Sequence, residues 1–290
     1  MSKVKKAIIP VAGYGTRFLP FTKAVPKAML PIVNRPAVQL VIQEAVESGI
    51  EEILLVVGQH KEIIQNHFSA AEELENLLES NQKQEFLEAV QYPQNMAKIS
   101  YIVQEEQLGT GHAVLLGEKF VGGEPFAVMF GDDVMQANPP VLKQLIQEYE
   151  KSEKTVVGVQ SVGYDNVVKY ASVEYNQKNG RVYNAVSIVE KPKRENAKSD
   201  LAPLGRYVMH ANFFEILKSI GRGYNNEYQL TDALASDLKQ NGLIAYEFEG
   251  VRYDMGDLFG YLQANIEFAL QNPQLCDKMK KYLDQLVKKF

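Results

Sequence analysis

The chain has 290 residues, 46% of them hydrophobic and 23% charged, an ordinary balance for a globular protein with one large core. Its 31 basic residues against 36 acidic ones give a net charge of −5, so no general positive field recruits nucleic acid, and no apolar run approaches the roughly 20 residues needed to span a bilayer. A single cysteine, Cys276, excludes an intramolecular disulfide and a CxxC metal cluster, and it fits a reducing compartment such as the cytoplasm.

The opening segment MSKVKKAIIPVAG carries lysines before a short apolar stretch that runs straight into glycines, so it does not read as a signal peptide. Residues 7–12 are an apolar run that enters a loop at Gly13 and Gly15 ending near Phe18, as a buried strand entering a glycine-rich turn would. Val38, Val41, Ile42, Ala45 and Val46 then recur at the spacing of one helical face, with Gly49 placed to end the helix. A second buried strand spans residues 53–57, so strand, loop, helix and strand arrive in the order of a right-handed parallel crossover. Between Lys61 and Lys98 the apolar residues keep helical spacing in a Glu-, Gln- and Asn-rich background, which reads as a helical insertion on the sheet edge. Residues 99–104 and 126–130 predict further strands, and helices begin near Gly111 and Pro139.

In the second half, residues 170–175 and 181–189 are two extended runs joined through Asn179 and Gly180, a hairpin signal that makes the sheet mixed. Thr231 is placed to cap a helix carrying Ala233, Leu234 and Leu238. Leu275, Met279, Tyr282, Leu283 and Leu286 line one face of a terminal helix, whose basic residues read as a solvated helix end. One domain over residues 1–290 accounts for the pattern, with a helical closing segment from about residue 257.

Five segments carry chemistry. Gly13 and Gly15 allow close backbone approach to an anion, and Arg17, Lys23 and Lys27 supply counter-charge, a combination that suits a triphosphate. The G-x-G-T-R spacing is neither the GxxxxGK[ST] phosphate loop nor the G-x-G-x-x-G of dinucleotide binders. Asp132 and Asp133 end the apolar run FAVMFG, and Asp254 and Asp257 end another extended run; either pair suits Mg2+ with substrate phosphates, and either equally suits a turn or helix cap. Glu190 and Lys191 close a strand with an acid beside a base, which places a hydroxyl acceptor next to a phosphate binder or makes a surface ion pair. Gln104 with Gly109 offers an amide and glycine backbone to a pyrimidine edge, although Gln104 alone reads as a solvent-exposed amide and His112 as a helix-start packing residue.

Taken in order, AGYGTRFLPFTKAVPKAMLPIVNRPAVQ, QEEQLGTGHAV, GDD, VEKP, LGRYVM, EYQLTDAL and YDMGDLFGYLQANIEFAL resemble the bacterial UTP–glucose-1-phosphate uridylyltransferase family over nearly the whole chain. The resemblance implies an α/β, Rossmann-like nucleotidyltransferase fold with a mixed, mainly parallel central sheet flanked by helices. It implies that Ala12, Gly13, Gly15, Gln104, Gly109 and Asp132 bind the nucleotide, and that Arg17, Lys27 and Lys191 are the catalytic cations. It also implies that Ala171, Glu190, Lys191 and Gly205 surround the sugar, and that Asp132 and Asp254 hold Mg2+. The implied partners are UTP, glucose 1-phosphate, UDP-glucose and pyrophosphate, in a cytoplasmic homodimer or homotetramer without nucleic acid or membrane. Ala28, Gly131 and Ala171 depart from the family pattern, where Glu, Pro and Gly are usual. A thymidylyl- or cytidylyltransferase, or a non-catalytic sugar-nucleotide-binding regulator, are the alternatives this pattern leaves.

Overall fold

The computed structural model describes residues 4–58 and 61–289. The first half alternates strands and helices: β1 (Lys6–Pro10), the two-residue strands β2 (Pro31–Ile32) and β3 (Arg35–Pro36), α1 (Ala37–Glu47) and β4 (Glu52–Val57). Three helices follow, α2 (Lys61–His67), α3 (Glu72–Ser80) and α4 (Gln84–Gln94), before β5 (Lys98–Val103). Then come α5 (Thr110–Leu115), α6 (Glu118–Val121), β6 (Phe126–Met129), β7 (Asp133–Gln136), α7 (Val141–Ser152), β8 (Thr155–Ser161) and α8 (Tyr164–Val167). The predicted hairpin is β9 (Ala171–Asn179) and β10 (Val182–Glu190), turning at Gly180 with its positive φ of 59°. The chain closes with β11 (Leu201–Met209), α9 (Phe213–Ser219), α10 (Leu230–Asn241), β12 (Leu243–Glu247), β13 (Val251–Asp254), α11 (Leu258–Gln271) and α12 (Cys276–Val287).

Nine strands form one sheet in the order β5-β4-β1-β6-β11-β8-β12-β10-β9. Followed from pair to pair, β10 and β11 run against the other seven, so the sheet is mixed and mainly parallel. Side chains alternate across it with the strand period of two. Ala7 and Ile9, Ile53 and Leu55, and Ala127 and Met129 join the core packed on α1 and α7, whereas Ile8, Leu54, Val56, Phe126 and Val128 join the core packed on α9 and α10. Strands buried on both faces are what give the near-continuous apolar runs of the sequence.

Because β5, β4, β1 and β6 are adjacent and parallel, the loops leaving β1, β5 and β6 emerge along one edge, where open α/β sheets place their ligands. A second, two-stranded ribbon of β7 and β13 sets Asp254 directly opposite Asp133. Among the described residues no helix is long and apolar enough to cross a membrane.

Thr231 does not cap α10: Gln229 occupies the N-cap, the Leu230 amide of the first turn donates to the Thr110 hydroxyl at 3.3 Å, and the Thr231 hydroxyl donates to Glu190 Oε2 at 2.7 Å. The reason is positional: the helix begins at Leu230, so Thr231 lies inside its first turn, past the N-cap position from which a hydroxyl oxygen accepts an amide bond.

Candidate active site

The loop after β1 is folded back by three short 3-10 turns, residues 16–18, 21–23 and 27–29. Gly15 sits in the left-handed region at φ 62°, and a Cβ there would lie 2.8 Å from Lys27 Cβ, so only glycine lets Lys27 pack against the turn. Lys27 Nζ then donates to Asp132 Oδ2 at 2.5 Å, joining the first loop to the turn after β6. Arg17 donates to the Gly256 carbonyl at 2.6 Å, joining the same loop to the segment after β13. A Cβ built on Gly256 would lie 2.8 Å from Asp254 Oδ1, 3.3 Å from Arg17 and 3.4 Å from Lys27 Nζ, so three charged groups from two segments far apart in sequence surround one point. The Met255 amide donates to the Asp132 carbonyl at 2.8 Å, which brings the two aspartate motifs side by side.

A cavity of about 470 Å3 opens over this cluster, lined by Ala12, Gly13, Arg17, Lys27, Gln104, Gly109, Asp132 and Lys191. A second cavity of about 370 Å3 adjoins it, shares Ala12, Gly13 and Gln104, and adds Lys23. Gly15, Ala171, Glu190, Gly205 and Asp254, five residues the sequence placed at the site, do not line the first cavity. Asp254 meets Lys27 and Arg17 at Gly256, and Glu190 lies 3.4 Å from Lys191 Nζ. Ala171 pairs with Glu190 in the hairpin, and Gly205 presses on Asp133, whose Oδ2 would lie 2.3 Å from a Cβ there. Lys191 takes the left-handed region at φ 41°, a strained backbone for a lysine, and its amide donates to the Tyr170 carbonyl at 3.0 Å. Gln104 is 4% exposed, contrary to its reading as a surface amide, because β5 ends by bonding its amide to the Val57 carbonyl and turns the side chain inward.

The four aspartates separate by environment. Asp257 caps α11, accepting from the Phe259 and Gly260 amides, so the turn-or-cap reading holds for it. Burial raises the Asp132 carboxyl, but the Lys27 ammonium outweighs that and holds it below the usual aspartate range. Burial pushes Asp133 up to about 6, opposed by the Arg252 guanidinium and helped by repulsion from Asp132 and Asp254. Asp254 accepts from Tyr170, Arg252 and the Gly256 amide, which fixes its orientation. Sequence reasoning missed Tyr170, Arg252, Thr231, Gln107 and Glu227. Gln107, Glu227 and Thr231 stood inside quoted motifs, but nothing in a local pattern tells which neighbour a side chain will find. Gln107 donates to the Ala12 carbonyl at 3.1 Å, and Glu227 lines the cavity beside Lys191.

A fold of this kind with cations and paired carboxylates at a sheet edge is that of a nucleotidyl transferase, and the model of the Nucleotidyl transferase family matches residues 6–271. A UTP–glucose-1-phosphate uridylyltransferase of Bacillus subtilis is 47% identical over 287 residues, covering 99% of this chain and 97% of its own. One from Staphylococcus epidermidis is 44% identical over 286 residues, covering 99% of both. The crystal structure of a UDP-glucose pyrophosphorylase complexed with UDP-glucose superposes with a TM-score of 0.83 at 39% identity, covering 93% of this chain and all of that one. The chain therefore belongs to the nucleotidyl transferase family and, within it, to the UTP–glucose-1-phosphate uridylyltransferases.

Proposed function

We propose that the chain transfers a uridylyl group from UTP to glucose 1-phosphate, giving UDP-glucose and pyrophosphate. The observation that carries the reading is the meeting of Arg17, Lys27 and Asp254 at Gly256, with Asp132 on Lys27 and Lys191 across the same cavity. An oxygen of the sugar phosphate forms a bond to the α-phosphorus while the bond to the bridging oxygen breaks in line, and pyrophosphate leaves with the electron pair. The attacking phosphate is already ionised at neutral pH, so the protein's task is to align two polyanions and neutralise their charge. In this scheme Arg17 and Lys27 hold the triphosphate and Lys191 the sugar phosphate. Ala12, Gly13, Gln104 and Gly109 hold the base. Glu190, oriented by Thr231, accepts from sugar hydroxyls, with the backbone of Ala171 and Gly205 behind it.

Asp132 and Asp254 fit Mg2+, since both are hard oxygen donors on neighbouring segments, and among the described residues no third acid, histidine or cysteine joins them. Two protein carboxylates with substrate phosphates and water suit that ion. When bound, the ion would neutralise phosphate oxygens. Lys27 is the side-chain counter-charge that Asp132 finds within the protein.

A cytoplasmic homodimer or homotetramer of single-domain chains completes the proposal, and light scattering on the eluting protein tests the assembly. The activity is tested by incubating the protein with Mg2+, UTP, dTTP or CTP, and a series of hexose 1-phosphates, then identifying products. UDP-glucose with one equivalent of pyrophosphate is the expected outcome; binding of UTP without pyrophosphate release would leave a regulator, and a preference for dTTP or CTP would reassign the base.

A further inference from the structure

Gln104 leaves the end of β5 with its side chain buried at the boundary of the two cavities. Its Nε2 lies 3.3 Å from the Gly109 carbonyl and 3.1 Å from His112 Nδ1. A backbone carbonyl only accepts, so the atom facing it must be the amide nitrogen. The second amide hydrogen then points at the imidazole, whose Nδ1 accepts it when the ring hydrogen is on Nε2. Both amide hydrogens are thereby engaged, and Oε1 is the atom left for a ligand.

The partners of this amide are held firmly. Gly109 has φ 101°, and a Cβ there would lie 2.7 Å from the Tyr228 carbonyl and 2.8 Å from Glu227 Cβ. The Tyr228 amide donates to the Leu108 carbonyl at 2.8 Å and the Gly111 amide to the Tyr228 carbonyl at 2.8 Å, clamping the loop on both sides of Gly109. His112 rides on α5, whose Gly111, Ala113 and Val114 are buried. Turning the Gln104 amide over would set oxygen against the Gly109 carbonyl and would require the imidazole to carry its hydrogen on Nδ1, so the side chain has one favoured orientation.

We infer that His112 is a positioning residue that locks the Gln104 amide with its oxygen toward the base, so that the site prefers bases bearing a ring N3–H, uracil and thymine, over cytosine, whose N3 is itself an acceptor. The inference rests on reading the cavity as the nucleotide site. It gives His112 a part in base choice without contact with the reacting atoms, and it implies no discrimination between uracil and thymine.

The test compares kcat/KM for UTP, dTTP and CTP in the unaltered enzyme and in His112→Leu and His112→Asn. In the Leu variant the amide loses its shorter acceptor, and the UTP-to-CTP preference falls about tenfold while the UTP-to-dTTP ratio stays as it was. In the Asn variant Oδ1 can accept where Nδ1 did, and the preference returns toward its original value. His112→Phe, which keeps a ring without an acceptor, gives the same reading if the Leu variant fails to fold. Equal losses for UTP and CTP in the Leu and Phe variants, with the ratio unchanged, would show that His112 only packs and would overturn the inference. An unaltered enzyme that turns over no UTP would instead sink the functional reading, a separate result.

Discussion

Arg206 and Arg252 both hold the Asp132–Asp133 turn from behind, yet they grip different parts of it. Arg206, fully buried, bonds Glu44 on α1 through both carboxylate oxygens and donates to the carbonyls of Asp133, Gly205 and Phe130. Glu44 in turn accepts from the Leu142 amide, so one ion pair ties α1, α7 and β11 to the main chain of the turn. Arg252 spends its donors on side chains, on the carboxylates of Asp133 and Asp254 and on the Tyr170 hydroxyl. Two guanidiniums 46 positions apart in sequence, Arg206 buried and Arg252 half-buried, thus divide the labour: one fixes where the turn is, the other fixes how the Asp133 carboxylate points. What a buried arginine touches, main chain or side chain, predicts whether its loss is read first in stability or in activity.

The largest effect expected is on Arg206→Met, which leaves the Glu44 carboxylate buried and unpaired and should cost about 3–5 kcal/mol in a denaturant titration. Adding Glu44→Leu to that variant should recover much of the loss, since the pair can be replaced by apolar packing; a single variant as stable as the parent would break the comparison at its first arm. Arg252→Met should act on the other side, lowering kcat/KM by roughly 100-fold while costing only about 1–2 kcal/mol of stability, because buried Asp133, already pushed up to about 6, can take a proton and Asp254 keeps Tyr170 and the Gly256 amide. If both arginines moved stability and left turnover alone, the division would be wrong.

Lys191→Ala and Arg17→Ala sharpen the picture from the cations that line the cavity. Each should lose about tenfold or more in kcat/KM with an unchanged melting curve, the first through the apparent KM for glucose 1-phosphate, the second through that for UTP. Normal constants for both substrates in both variants would remove these cations from the site. The smallest effect serves as a baseline away from the cavity. Asp237, 0% exposed, accepts from Thr155, His210 and Asn241; burial raises its carboxyl, but these bonds prevail and hold it below the usual value of 3.8. A carboxyl depressed in the folded state stabilises fully above its unfolded value and loses that contribution as pH falls through the folded one. Asp237→Asn should therefore cost about 1–2 kcal/mol near neutrality, and the gap to the parent should close as pH drops below 3.8; a gap that widened there would reverse the assignment.

Much of the candidate site could be read from local pattern because its chemistry is carried by residues at strand ends. Gly13, Gly15, Arg17 and Lys27 follow a strand, and Asp132 and Asp254 each close an extended run, positions where an α/β sheet presents ligand-binding groups. The supporting residues were not legible in the same way. Tyr170 and Arg252 lie 82 positions apart and meet only across the folded sheet, and Thr231 left its expected cap for Glu190 once the hairpin and α10 packed together. The β7–β13 ribbon escaped notice because β7 follows the GDD turn directly, without an apolar run of its own.

Periodicity and composition by themselves determined the alternating α/β architecture, the helical character of residues 61–98, the hairpin at Gly180 and the list of chemistry-bearing loops, because these depend on neighbours within a few residues. Tertiary structure alone decided which loops share a cavity, that Asp132 lines it while Asp257 caps a helix, and how the Gln104 amide is turned. Those outcomes depend on hydrogen bonds and charge pairs between segments up to 239 positions apart, such as Arg17 on Gly256, and no window along the chain contains both partners.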